Sequence, residues 1–208
     1  MKVLMFNGSA RPHGCTFTAL SEIGRQLEKE GIDSQIIQIG GQPIRDCIGC
    51  KACSNLNGQC VFNDDPINEW ILLAREADGF VFGTPVYYAH PSGRLLSVLD
   101  RMFYAGSSAF RHKPGAAVAS ARRAGTTASL DAVNKFFAFA QMPMVPSNYW
   151  NMVHGNTPEE VLQDLEGLQT MRNLARNLAW MLRLIRLGRE NGLVAPEAET
   201  GQRTNFIR

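Results

Sequence analysis

Four of the chain's five cysteines fall within fourteen positions, as Cys47-x2-Cys50-x2-Cys53-x6-Cys60. Thiolates at this spacing can surround one small cluster, as ferredoxin-type loops do. Zinc suits the pattern less well, because structural zinc sites usually come as two separated C-x2-C knuckles. A disulfide pair is disfavoured in a reducing compartment. Thiols that pack, or that line a substrate pocket, fit the same spacing, so the residues alone leave cluster and packing both open. Cys15 stands outside the run, as a buried or loop thiol rather than a ligand.

Three further segments could bind a ligand. Gly8-Ser9-Ala10-Arg11-Pro12-His13-Gly14-Cys15-Thr16-Phe17-Thr18 lies between a predicted strand and a predicted helix. There the unpaired amides and the helix dipole favour an anion. Ser9, Thr16 and Thr18 add hydroxyls, Arg11 a cation, and Gly8 and Gly14 close backbone approach. The loop lacks both Gly-x-Gly-x-x-Gly and the P-loop pattern, which argues against a Rossmann dinucleotide site and a P-loop. A helix capped by Thr16 or Cys15, beside a surface arginine, fits the same residues. The second segment, Gly83 to Gly93, carries Pro85, Val86, Tyr87, Tyr88, His90 and Pro91. A proline-stiffened turn with adjacent tyrosines suits a planar heterocycle, and it equally suits a turn with one tyrosine in the core. The third, Ser120 to Thr127, is polar and contains Arg122, Arg123 and Gly125.

The elements that must position these segments alternate. Strands are predicted at Lys2–Phe6, Ser34–Ile39, Gly79–Gly83, Ala116–Ala119 and Met142–Val145. Helices are predicted at about Thr16–Glu30, Pro66–Ala77, Gly93–Phe103, Ser129–Ala140 and Pro158–Leu187, the first with Phe17, Leu20, Ile23 and Leu27 on one apolar face. Residues 40–66 have no clear period. A repeated β-α unit implies a parallel sheet with helices on both faces, and ligands in such sheets bind beyond the carboxyl ends of the strands. With 208 residues, one domain is expected over 1–190, followed by an irregular tail over 191–208. The arginines of the last helix read as a solvated face. Twenty-one Lys+Arg against nineteen Asp+Glu leaves +2, which excludes a strongly basic nucleic-acid surface. The N-terminal apolar run, Val3–Phe6, is too short for a secretory signal, so a cytoplasmic protein with reduced thiols is expected.

The motifs Gly8-Ser9-Ala10-Arg11-x-x-Gly14-x-Thr16, Thr84-Pro85-Val86-Tyr87, and Gly93 through Leu99-Asp100-Arg101 resemble those of the flavodoxin-like NAD(P)H-dependent FMN reductases. The likeness spans roughly residues 1–190. It implies a doubly wound, five-stranded parallel sheet in order 2-1-3-4-5 that binds FMN, with NAD(P)H as co-substrate. By position, Ser9, Arg11, Thr16, Phe17 and Thr18 would hold the phosphate. Cys15 stands where the family often has asparagine, leaving its backbone N–H for that role. Pro85, Val86, Tyr87 and Tyr88 would line the isoalloxazine, and Ser120, Arg122, Arg123 and Gly125 would approach it from the third loop. The cysteine run, with Asp64-Asp65 behind it, resembles the compact motif of the iron–sulfur flavoprotein branch. That implies a [4Fe–4S] cluster on Cys47, Cys50, Cys53 and Cys60, although a related loop also occurs in reductases for which no cluster is assumed.

The expectation is an oxidoreductase in which reduced flavin passes electrons to a second acceptor: a quinone, a nitro or azo compound, or a one-electron ferredoxin-like partner reached through a cluster. A flavodoxin-like carrier without turnover of its own is the alternative, opposed by the near-neutral charge. Relatives commonly form homodimers or homotetramers. Phe103, Tyr104 and Phe110 suit either a subunit contact or packing under their own loop.

Overall fold

A computed structural model describes residues 1–207. The strands β1 (Lys2–Asn7), β2 (Asp33–Gln38), β3 (Gly79–Tyr87), β4 (His90–Pro91), β5 (Gly115–Ala121) and β6 (Met152–His154) form one sheet. Its parallel strands lie in the order β2-β1-β3-β5-β6, with β4 antiparallel to the end of β3. Counted without β4, that is the expected order 2-1-3-4-5.

Period-two patterning builds a core on each side of the sheet. Leu4, Phe6, Phe80, Phe82, Ala117 and Ala119 face one side; Val3, Met5, Val81, Ala116 and Val118 face the other. Helices α2 (Ile67–Glu76), α3 (Gly93–Ala105) and α4 (Thr126–Phe139) cover the first face with Trp70, Ile71, Leu95, Val98, Leu130 and Val133. Helix α1 (Cys15–Lys29) and the long α6 (Leu165–Glu190) cover the second with Leu20, Ile23, Leu174 and Leu178. Phe103 and Phe110 stack at 4.1 Å within the first core, which leaves Tyr104 as the exposed member of that trio.

Three local expectations are corrected. Met142–Val145 is not the fifth strand: it makes one isolated bridge, from Met144 to Gly115, and Met152–His154 takes the sheet edge. Pro143 lies inside that stretch and Pro146 directly follows it, and neither has an N–H for a ladder. The final helix is split into α5 (Pro158–Gln163) and α6, because Asp164 turns its carboxylate onto the Gly167 N–H at 2.9 Å and starts a new helix. Finally, β3 continues through Pro85–Tyr87 and closes a hairpin with β4. The turn between them is Tyr88–Ala89, both with positive φ (51° and 59°), as a two-residue type I′ connection requires. Residues 192–207 contain no helix or strand. Among the described residues, no helix is long and apolar enough to cross a membrane.

Glu22 ties α1 to α6, accepting from Arg172 Nη1 at 2.6 Å and from Arg25. Burial works to raise its pKa, but hydrogen bonds from Arg172 and Arg25 outweigh burial and hold it below the ordinary 4.5. A depressed folded-state pKa stabilises the fold above the unfolded value and loses that stability as pH falls through the folded one. Glu22→Gln should therefore cost roughly 0.5–1 kcal/mol in urea unfolding at neutral pH. The difference should vanish once the pH has fallen below the folded-state pKa of Glu22. A gap that persists there would assign the effect to packing.

Candidate functional site

The sheet register brings three loops to one edge. Asn7 pairs with Gly83, Pro85 with Ser120, and Ala121 with His154, so β1, β3, β5 and β6 end side by side. The first loop starts by crossing onto β3, where the Gly8 N–H donates to the Gly83 carbonyl at 2.8 Å. No side chain fits in this approach: a Cβ on Gly8 would lie 2.7 Å from that oxygen. Buried Asn7 shapes the remainder of the loop. Its Oδ1 accepts from the Ser9 N–H at 3.2 Å, and its Nδ2 donates to the carbonyls of Arg11 and Pro12 and to Gln38. The Ser9 hydroxyl accepts from the Arg11 N–H at 3.1 Å.

The loop delivers the chain to an α1 start that nothing caps. Gly14 is the N-cap and offers no side chain, and among the described residues the N–H groups of Cys15, Thr16 and Phe17 have no protein acceptor. Arg11 is exposed at the same loop, and Arg122 and Arg123 are exposed on the third. None of the three guanidiniums joins an ion pair among the described residues. Unsatisfied amides, a helix dipole and unpaired cations are a combination that favours an anion.

Several of the expected contact residues point elsewhere. The Thr16 and Ser120 hydroxyls are both buried and bond to each other at 2.7 Å, joining α1 to the third loop. Thr18 Oγ1 donates to the Gly14 carbonyl at 3.3 Å. Burial pushes the Cys15 thiol up against the opposing charge of Arg11, and the thiol donates to the Gly155 carbonyl at 3.6 Å. Phe17 is half-buried against His13, edge to face at 4.9 Å.

The second loop is the β3–β4 hairpin. Pro85 and Val86 are half-buried, Tyr87 is 54% exposed, and Tyr88 stands fully out at the turn. The third loop packs on it through Gly125, where φ is +90° and an added Cβ would lie 2.6 Å from Ala89 Cα. Sequence reading missed the residues that lock these loops together. Ser92 donates its hydroxyl to the Gly8 carbonyl at 2.7 Å, accepts from the Leu95 N–H to cap α3, and gives its own N–H to Thr84 Oγ1. His154 Nε2 donates to the Arg123 carbonyl at 3.1 Å, while its backbone N–H is held by Asp164. The serine before Gly93 was a legible N-cap signal; the role of His154 depends on the placement of β6 and had no local sign.

The cysteines occupy a different place, between the irregular 40–66 segment and α3. Cys47, Cys50, Cys53 and Cys60 all line one small pocket that encloses about 20 Å³, with Phe62, Arg101 and Tyr104. A left-handed residue sits in each interval of the run: Gly49, Lys51, then Asn57 and Gly58. These turns curl the chain so that thiols from separate positions share one wall. All four are free thiols, and no three His, Cys, Asp or Glu side chains among the described residues form a group that could hold a metal ion as they stand.

The sequence profile described as NADPH-dependent FMN reductase matches residues 1–157. The chain belongs to that family. Within it, the chain is 32% identical over 195 residues to an iron–sulfur flavoprotein of Methanocaldococcus jannaschii, spanning 89% of this chain and 100% of that protein. An NADPH azoreductase from a Bacillus species is 32% identical over 139 residues, 66% of this chain and 67% of the azoreductase. Among solved structures, RosB with a bound riboflavin-5'-phosphate derivative has a TM-score of 0.71 at 16% identity, covering 100% of this chain and 94% of RosB. A WrbA-like flavodoxin from Agrobacterium tumefaciens has a TM-score of 0.63 at 16% identity, covering 88% and 97%. The last two likenesses establish a shared fold.

For this FMN reductase family member, Ser92→Ala should lower stability by about 1–2 kcal/mol, through loss of the α3 cap and an orphaned Gly8 carbonyl. Guanidinium unfolding measures this, and an unchanged midpoint would show that the Ser92 bridge does not hold the two loops.

Proposed function

We propose that this chain is an FMN-dependent NADPH oxidoreductase that carries a [4Fe–4S] cluster on its four-cysteine pocket and passes electrons to a one-electron partner. The observation that carries the flavin half is the uncapped start of α1 beneath the Gly8–Gly14 loop, at the edge where the other two loops converge. FMN has the chemistry these groups call for: a phosphate for the amides of Cys15, Thr16 and Phe17 and for Arg11, and a planar ring for the Tyr87–Tyr88 hairpin. When bound, FMN supplies the redox chemistry, accepting two electrons from NADPH and passing them on. The protein's share is to orient it. Arg122 and Arg123 bring positive charge to the third loop, and Gly125 permits that loop to lie on the hairpin. No side chain here is assigned as a protein acid or base.

Two observations support the cluster half. Four free thiols share one pocket with a buried guanidinium, a donor set and countercharge suited to an anionic iron–sulfur group. The iron–sulfur flavoprotein relative matches along its whole length. Ligation would draw the four sulfurs together. The azoreductase relatives favour a second reading, in which the cysteines stay as thiols and the acceptor is a two-electron azo, nitro or quinone compound.

Anaerobically purified protein, assayed for flavin, iron and acid-labile sulfide in one sample, should hold about one FMN with about four iron and four sulfide per chain. FMN without iron after reconstitution would leave the two-electron reading. No uptake of FMN would overturn both. Steady-state NADPH oxidation with an added acceptor should follow; its absence in protein with intact flavin would favour a carrier without turnover of its own. Gly125→Ala, strained by about 1–3 kcal/mol at a left-handed position, should weaken FMN binding by roughly ten- to hundredfold in a fluorescence titration. Unaltered affinity would remove the third loop from the flavin site.

A further inference from the structure

Among the described residues Arg101 is the largest fully buried side chain, and its hydrogen-bond partners there are all on the cysteine segment. It leaves α3 and forms a two-armed ion pair with Asp65, one arm through Nη1 and the other from Nη2 to Oδ1 at 3.1 Å. Nη1 also donates to the Arg45 carbonyl at 3.4 Å and Nη2 to the Phe62 carbonyl at 3.3 Å, and the Phe62 ring lies 5.4 Å from the guanidinium carbon. The remaining donor, Nε–H, points at Cys60 Sγ at 3.3 Å. Arginine keeps its proton in proteins, and the two-armed pairing with Asp65 compensates the burial of its charge. The guanidinium is therefore a permanent cation at the pocket wall.

Cys60 is correspondingly the most constrained of the four cysteines. Its backbone is clasped by Asn68, which accepts from the Cys60 N–H at 2.7 Å and donates to the Cys60 carbonyl at 3.0 Å. Cys50, by contrast, is exposed, and the Cys53 thiol makes a long 4.0 Å contact to the Tyr104 carbonyl. If the pocket served only to pack apolar surface, a buried Arg–Asp pair would be a costly way to fill it, since such pairs often do no better than well-packed hydrophobic residues. A charged N–H aimed at one sulfur is accounted for by an anionic group on that sulfur.

We propose that Cys60 is the preset ligand of the cluster and that Arg101 is its positioning residue, holding Cys60 Sγ in place and raising the cluster's reduction potential. The inference rests on the cluster reading above. The physical cause is direct: reduction adds negative charge to the iron–sulfur unit, and a buried cation donating to a ligand sulfur stabilises the reduced form more than the oxidised. Asp65 fixes the direction of the guanidinium and tempers its charge.

The test uses the reconstituted full-length protein. In wild type labelled with 15N-arginine, pulsed EPR of the reduced cluster should show a nitrogen coupling that Arg101→Lys removes; no coupling in wild type overturns the proposal without need of any variant. EPR-monitored redox titration should find cluster reduction about tenfold less favourable in Arg101→Lys, about 59 mV lower for one electron. Asp65→Asn leaves the Nε–H and frees the cation, so its potential should move up. A purely structural role predicts no such opposed pair of shifts, and equal potentials in all three proteins at full iron content would overturn the assignment. Wild type that takes up FMN but no iron would instead remove the cluster reading itself, and the proposal with it.

Discussion

The contact on which the ligand edge depends is a meeting of two backbones, the Gly8 N–H on the Gly83 carbonyl at 2.8 Å. It bends the chain off β1 and across β3, where it could have run on past the sheet. Neither residue tolerates a side chain: a Cβ on Gly8 would strike the carbonyl, and one on Gly83 would lie 2.8 Å from Thr16 Cγ2. With the first loop held there, the Gly8 carbonyl comes within reach of Ser92, and Ser92 links it to α3 and to Thr84. Thr16 lands beside Ser120, which couples α1 to the third loop. One close approach thus sets the relative position of all three loops, while the first three amides of α1 keep no partner among the described residues.

The cysteine segment is organised on a different principle. Residues 40–66 hold only a short 3-10 turn, Ala52–Asn55, and a loop of that length in a compact domain is uncommon unless it has work to do. Its order comes from side chains reaching in from regular elements. Arg101 binds Asp65 and the carbonyls of Arg45 and Phe62, Asn68 clasps Cys60, and Arg75 Nη2 donates to the Asn57 carbonyl at 2.6 Å. Helices α2 and α3 therefore serve both the sheet core, with their apolar faces, and the cysteine pocket, with their polar ones. The two candidate redox groups are supported by different layers of hydrogen bonds on one scaffold.

Legibility followed the range of the interactions. The two cores and four of the five expected parallel strands were readable because alternation on strands and three–four spacing on helices are local consequences of backbone geometry; the sheet order was implied by the resemblance of the loop motifs. The misplaced fifth strand shows the limit. Met142–Val145 has strand composition, but Pro143 within it and Pro146 after it deny it a ladder, and Met152–His154 has the free edge of β5 to pair with. The break at Asp164 is similar in kind: apolar spacing runs through it, and only the carboxylate's reach to Gly167 ends one helix and begins the next.

By itself, the sequence determined the fold class, the three loops at the sheet edge, and a run of thiols dense enough to demand an explanation. Those follow from residue type and spacing along the chain. Only the tertiary structure decided that Thr16 and Ser120 spend their hydroxyls on each other, that His154 braces the Arg123 loop, and that an arginine from α3 meets Cys60 across 41 positions of sequence. Hydrogen bonds and ion pairs of that kind depend on distances set by packing between elements, and no periodicity in the chain encodes them.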